Sequence, residues 1–241
     1  MCNQRDNYLD SETQYLKPVL RHQAYTQASM PEGKLFEDPD FSPVKALPDI
    51  STDIKWLRPH QIVENPKLFS DGHSRFDVVQ GVLTNCWLMA AMATLTTYDA
   101  LFDRVVPPDQ GFTKKEKYAG IFRFHFWQDG KWIEVIIDDR LPTQKGELVL
   151  THSQEKREFW SALLEKAYAK LYGSYTVLNM GYTSEALRDM TGGLTETICW
   201  EPNENPPDNL IDIINTVENQ PNVVFGYQRM RTKKTVFWWW P

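Results

Sequence analysis

The chain has 241 residues, 41% of them hydrophobic and 13% aromatic, enough to bury the core of one large domain or two small ones. A net charge of −6 gives no basic footprint for nucleic acid, and no apolar run approaches the roughly 20 residues that span a bilayer. The opening Met1-Cys2-Asn3-Gln4-Arg5-Asp6 lacks the apolar core of a secretory signal, and three cysteines (Cys2, Cys86, Cys199) without metal-ligand spacing fit a reducing, cytoplasmic setting. Residues 1–34 are polar and rich in Gln, Ser and Thr, which predicts a flexible lead-in. From Leu35 to Pro66 short apolar anchors alternate with Pro39, Pro43, Pro48 and Pro59, so this stretch is expected to wrap over a domain surface without long helices.

Ser70-Asp71-Gly72-His73-Ser74-Arg75-Phe76-Asp77 is a turn-rich loop. Its carboxylates and carbonyls suit a hard cation that takes oxygen ligands, although by spacing alone a solvated loop is the plainer reading. Gln80-Gly81-Val82-Leu83-Thr84-Asn85-Cys86-Trp87 then runs from a polar, glycine-containing turn straight into an apolar helix extending to about Thr97. Asn85 or Thr84 is expected to cap that helix, making Cys86 about its first residue, where the helix dipole favours thiolate over thiol. Gln80, six residues upstream, is placed to aim its amide at the sulfur. That amide and the Cys86 backbone N–H would form a two-donor oxyanion hole. A small buried apolar residue opening a core helix is the competing reading of Cys86.

A short helix is predicted near Asp99 to Val105, ended by Pro107-Pro108. Ile121–Trp127 and Trp132–Ile137 alternate around Gln128-Asp129-Gly130-Lys131 as a β-hairpin, with His125 read as a structural or surface histidine. Asp138-Asp139 at its end reads as a salt-bridge partner for Arg140. Glu158 to Tyr172 is a helix whose broad apolar face implies deep burial, with Glu158 at its N-terminus. Thr191-Gly192-Gly193 suggests a hinge. Beyond it come a strand over Thr195–Trp200, a helix begun by Asp208, a strand over Val223–Tyr227, and a tryptophan-rich end, Phe237-Trp238-Trp239-Trp240-Pro241.

The nucleophile stretch resembles that of the calpain family, which usually reads QGxxGDCW and sometimes QGxxGNCW; Thr84 stands where the pattern has Gly, a departure expected to alter the turn approaching the sulfur. The resemblance continues through Leu35-Phe36-Glu37-Asp38-Pro39, Trp56-Leu57-Arg58-Pro59 and Asn65-Pro66-Lys67-Leu68-Phe69. Tyr118-Ala119-Gly120-Ile121-Phe122, Asp138 to Thr143, Glu158 to Tyr168 and Thr191-Gly192-Gly193 extend it. It implies an α+β, papain-like protease core: a helix-rich first lobe at 35–192 carrying the nucleophile, then an incomplete β-rich second lobe at 193–241 whose tryptophan-rich tail does not resemble the family. It implies a calcium-dependent cysteine endopeptidase acting on protein substrates, with Cys86 as nucleophile and Gln80 as oxyanion donor. It also implies a calcium site made by carbonyls of Ser70 and Gly72 and the carboxylates of Asp77 and Glu158.

The other half of the machinery is harder to find. In papain-type proteases the His base lies about 130–150 residues beyond the Cys, and residues 216–236 contain no histidine. His22, His60, His73, His125 and His152 all come earlier, and the family's GHAY and NPWG segments are absent. The expectation is a chain inactive alone, with its His and Asn supplied by a second chain or a longer form. The alternative is a non-catalytic relative that binds calcium, a partner or an inhibitor protein.

Overall fold

The computed structural model describes residues 34–48, 53–200, 204–218, 224–229 and 234–240. The predicted lead-in thus falls outside the described residues, Lys34 excepted. The architecture is α+β. Pro43–Ala46 (α1), Lys55–Leu57 (β1) and Pro59–Ile62 (α2) form the strap, followed by a 3-10 turn at Arg75–Asp77. Cys86–Leu95 (α3), Asp99–Val105 (α4), the hairpin Ile121–Gln128 (β2) and Lys131–Asp138 (β3), and the short strands Leu141–Gln144 (β4) and Glu147–Leu148 (β5) come next. Trp160–Tyr172 (α5) and Thr183–Thr191 (α6) complete the first part. Strands β1, β4 and β5 make one antiparallel sheet in that order.

Helix α5 is the axis of the core. Its residues 160 to 169 are all buried, including Trp160, Leu163, Leu164, Ala167 and Tyr168. The hairpin lays one face against the core: Phe122, Phe124 and Phe126 from β2, and Ile133, Val135 and Ile137 from β3. Period-two alternation puts these six on one side, and each phenylalanine buried this way is worth about 1.5–3 kcal/mol. The two-residue turn has both central residues at positive φ, Asp129 at 50° and Gly130 at 79°, the conformation whose twist suits a tight hairpin.

The strap is riveted to this core by buried charge. Asp138 accepts from Lys166 Nζ at 2.6 Å, Arg140 Nη2 at 2.7 Å and the Asp38 N–H at 2.8 Å. Lys170 Nζ donates to Asp38 at 2.6 Å. Burial opposes ionisation of Asp138, but the charges of Lys166 and Arg140 win and hold its carboxyl down at about 2. The expected partnership with Arg140 therefore belongs to Asp138. Asp139 turns the other way, to Arg58 and to the Tyr118 hydroxyl at 2.6 Å.

Leu194–Trp200 (β6), Leu210–Glu218 (α7), Val224–Arg229 (β7) and Lys234–Trp240 (β8) form the second part, an antiparallel sheet in the order β6-β8-β7 with α7 contacting β7. The tryptophan-rich run is thus a central strand rather than a trailing segment, paired with β6 from Leu194↔Trp240 to Trp200↔Lys234. Gly192 caps α6 in the left-handed conformation (φ 74°), its N–H donating to the Arg188 carbonyl at 2.8 Å.

Candidate active site

The stretch from Val79 to Asn85 is laced onto residues 149–152. Val79 and His152 exchange backbone hydrogen bonds at 2.8 and 3.1 Å, and the Val82 N–H donates to the Val149 carbonyl at 3.0 Å. Between them Gly81 lies so close to that backbone that a Cβ would sit 2.4 Å from the Val149 carbonyl oxygen and 2.5 Å from Leu150 backbone atoms. Only glycine fits. Gln80 Nε2 donates to the Leu83 carbonyl at 2.6 Å, which fixes the amide inside the loop and leaves its second N–H for another acceptor.

Cys86 is the first residue of α3 and is exposed, so the reading as a small buried core residue does not hold. The capping expectation is corrected: Asn85 occupies the N-cap position, but its side chain makes no capping bond. Its Nδ2 turns into the core and donates to Glu165 Oε1 at 2.7 Å. Thr84 does not cap either. Its N–H donates to Asn179 Oδ1 at 3.1 Å and its hydroxyl to the Asn179 carbonyl at 3.0 Å. Among the described residues the non-glycines at positive φ are Asn65, Asp71, Lys117, Asp129 and Lys145, so position 84 accepts threonine without strain and gains an anchor. Trp87 clamps the same neighbouring segment, Nε1 donating to the Leu178 carbonyl at 2.9 Å, with Gly181 pressed against its ring.

No histidine among the described residues hydrogen-bonds the Cys86 sulfur. His60 bonds the Phe112 carbonyl at 3.2 Å, and His73 stacks on Phe102 at 3.7 Å. His125, as expected of a structural histidine, bonds the Arg104 carbonyl at 2.8 Å and Glu134 at 3.3 Å, and the Glu134 carboxylate raises its pKa. His152 Nδ1 lies 3.0 Å from the Leu150 carbonyl.

The acidic loop is partly assembled. The Ser70 N–H donates to Glu158 Oε1 at 2.7 Å, joining residues 88 apart in sequence. Glu158 lies just before α5, not within it, and is 2% exposed, its Oε2 accepting from Ser153 Oγ at 2.8 Å. Burial pushes its carboxyl up to about 7, with the charges of Asp77 and Glu155 adding to the rise and the two hydrogen bonds opposing it. Asp77 accepts the Ser74 N–H at 2.6 Å and its hydroxyl at 3.0 Å. Gly72 (φ 98°) and Asp71 (φ 64°) fold the loop back through the left-handed region; Gly72 is not hydrogen-bonded to the other three. This is a donor set of oxygens around two carboxylates that repel each other, with no cation side chain joined to either one's oxygens among the described residues.

The calpain family cysteine protease profile matches residues 36–236. The chain belongs to the calpain family of cysteine proteases. It is 58% identical over 185 residues to Calpain clp-1 of Caenorhabditis elegans, which covers 75% of this chain and 23% of that one. It is 54% identical over 196 residues to Calpain-B of Drosophila melanogaster (80% and 21%) and 49% identical over 191 residues to the Calpain-2 catalytic subunit of Mus musculus (76% and 27%). The chain spans about a quarter of the length of these calpains. Among the described residues no helix is long and apolar enough to cross a membrane.

Within this calpain site, sequence reasoning missed Glu165, Thr151 and Asn179. Glu165 left one signal: a carboxylate inside a helical run, between the apolar pairs Leu163-Leu164 and Ala167-Tyr168. Asn179 left none, because the 3-10 turn Thr176–Asn179 that carries it has no periodic signature.

Proposed function

We propose that this calpain chain carries the nucleophile half of a calcium-dependent cysteine endopeptidase. Cys86 attacks the carbonyl carbon of a peptide bond in a protein substrate. The Gln80 amide and the Cys86 N–H stabilise the oxyanion, and the amine leaves with a proton from the catalytic acid. Water then hydrolyses the thioester and returns the thiol. The single observation that supports this reading is an exposed cysteine at the first position of α3, in a loop where Gln80 is held by its own turn and glycine by a backbone contact.

The histidine base and its orienting group come from outside the described residues, in the same polypeptide or in a second one, since all four described histidines are engaged elsewhere. Ser70, Gly72, Asp77 and Glu158 fit a calcium ion: two carboxylates, one of them buried and pushed toward neutrality, beside a loop that turns its carbonyls through positive φ. Calcium bound there would supply the positive charge that offsets the charge of Asp77 beside Glu158.

Incubation with calcium and casein tests the activity. Cleavage that disappears with Cys86→Ala supports a complete enzyme. Labelling of Cys86 by an irreversible thiol-directed inhibitor without turnover supports an assembled first lobe awaiting its base. Neither labelling nor turnover refutes the reading. For the metal, calcium is expected to raise the melting temperature of the wild type, and Asp77→Ala with Glu158→Ala to abolish that rise; no rise in the wild type, or an equal rise in the double variant, refutes the site.

A further inference from the structure

We propose that Glu165 is a positioning residue for Cys86, holding both ends of the Gln80–Cys86 loop through a single buried carboxylate whose partners must be donors. The inference rests on the reading of Cys86 as nucleophile.

Glu165 is 1% exposed. A buried carboxylate persists only where donors replace the water it has lost. Three converge here: Asn85 Nδ2 at 2.7 Å, the Thr151 N–H at 3.0 Å, and the Thr151 hydroxyl. None comes from a cationic side chain, unlike the arrangement one residue along at Lys166 and Asp138. All three lie on the loop or on its support. Asn85 immediately precedes Cys86. Thr151 lies between Leu150, against which Gly81 is pressed, and His152, which pairs with Val79 next to Gln80. One carboxylate on α5 therefore ties the residue before the nucleophile to the strip that carries the oxyanion-donor end of the loop.

The polarity of the contact is set from one side only. Asn85 is fully buried, and its Oδ1 has no partner among the described residues, so its amide is oriented by what Nδ2 meets at Glu165. Because that side chain is drawn inward, Asn85 takes φ −108° and ψ 35° without capping α3, and this backbone turn delivers Cys86 to the surface. The other titratable groups facing Glu165 are His152 and Tyr175.

The test uses the full chain and measures the rate at which iodoacetamide alkylates Cys86, read by peptide mass spectrometry with Cys2 and Cys199 as internal references, alongside the melting temperature. Glu165→Gln replaces one of the two acceptor oxygens with an NH2, so whichever way the amides lie a donor, Asn85 Nδ2 or the Thr151 N–H, loses its acceptor. The Cys86 rate is expected to fall about threefold or more as the sulfur leaves the positive end of α3 and its thiolate is less favoured, while Cys2 and Cys199 keep theirs. Asn85→Asp combined with Glu165→Gln restores a donor–acceptor pair with its polarity reversed and is expected to recover most of the lost rate. A folded Glu165→Gln chain alkylated like the wild type overturns the proposal. So does a double variant no better than the single one. If Glu165→Gln fails to fold, the double variant decides: folded with near-wild-type reactivity it supports the proposal, and unfolded or slow it overturns it. Wild-type Cys86 left unlabelled by an irreversible thiol-directed inhibitor and without turnover refutes the nucleophile reading itself, a result distinct from the other outcomes.

Discussion

Replacing Gly81 with alanine isolates how tightly the nucleophile loop is pressed against its support. Gly81 does not sit at positive φ, so the substitution tests space alone. The new methyl group would meet the Val149 carbonyl oxygen at 2.4 Å and the Leu150 carbonyl carbon and Cα at 2.5 Å, all backbone atoms that cannot rotate away. Ordinary carbon contacts begin near ~3.5 Å, so loop and strip must part by about 1 Å. That displacement strains the Val82–Val149 hydrogen bond and the paired bonds of Val79 with His152. Overpacking of this kind costs about 1–3 kcal/mol, and loss of the Val82–Val149 bond alone adds about 1 kcal/mol, giving an expected destabilisation of about 2–4 kcal/mol. Urea unfolding followed by tryptophan fluorescence measures it. Gly130→Ala is the control, because its Cβ meets nothing within 4 Å and only the positive φ of 79° is penalised, at about 1–2 kcal/mol. Gly81→Ala no more destabilising than Gly130→Ala would show that the loop is not pressed against the strip, and the account of the site would lose its foundation.

Lys166→Ala removes the buried ammonium and leaves the Asp138 carboxylate and the Asp138 and Arg140 carbonyls without it; urea unfolding is expected to show a loss of about 3–5 kcal/mol. Asp138 itself predicts an acid limb. Its folded pKa, about 2, lies below the ordinary 3.8, so its contribution is fully present above about pH 4 and is lost as pH falls through 2. This contribution is on the order of 2 kcal/mol, and Asp138→Asn should flatten that part of the stability profile relative to wild type. Trp87→Phe leaves the Leu178 carbonyl without its donor and is expected to lower stability by about 1–3 kcal/mol in the same assay; a change under half of the lower figure would show that water takes the donor's place.

Where periodicity decides structure, the sequence was legible. The hairpin alternates apolar and polar residues around an Asp-Gly pair, and the structure forms it from Ile121 to Asp138 with that pair in its turn. The short helix before Pro107-Pro108 appears at Asp99–Val105. Cys86 stands at the head of its helix because an apolar run starts there. What failed was the choice of partner for a polar side chain. Asn85 in front of a helix ordinarily caps it, and the local rule cannot see a carboxylate 80 residues away that competes for the same amide. Asp138 and Asp139 are adjacent in sequence, but strand alternation turns them to opposite neighbours, so one reading could not serve both. The Phe237–Trp240 run shows the same limit from another side. Its composition suggests an anomalous end, whereas its place as the middle strand depends on pairing with Leu194–Trp200, distant in sequence, as well as with the preceding strand Val224–Arg229.

Those long-range partners converge on one strip. Val149 and Leu150 press on Gly81, Thr151 holds Glu165, and His152 pairs with Val79. One residue further on, Ser153 donates to Glu158, which in turn accepts the Ser70 N–H. The nucleophile loop and the acidic loop therefore rest on consecutive residues of the same segment. Each loop is fastened through a buried glutamate, Glu165 at one and Glu158 at the other, and neither carboxylate is joined to a cationic side chain among the described residues. The two glutamates nevertheless differ in what completes them. Glu165 has three protein donors and is satisfied by the fold. Glu158 has two, and faces the charge of Asp77. A cation at the site proposed for Glu158 and Asp77 would act on the backbone that supports Cys86 without touching the sulfur.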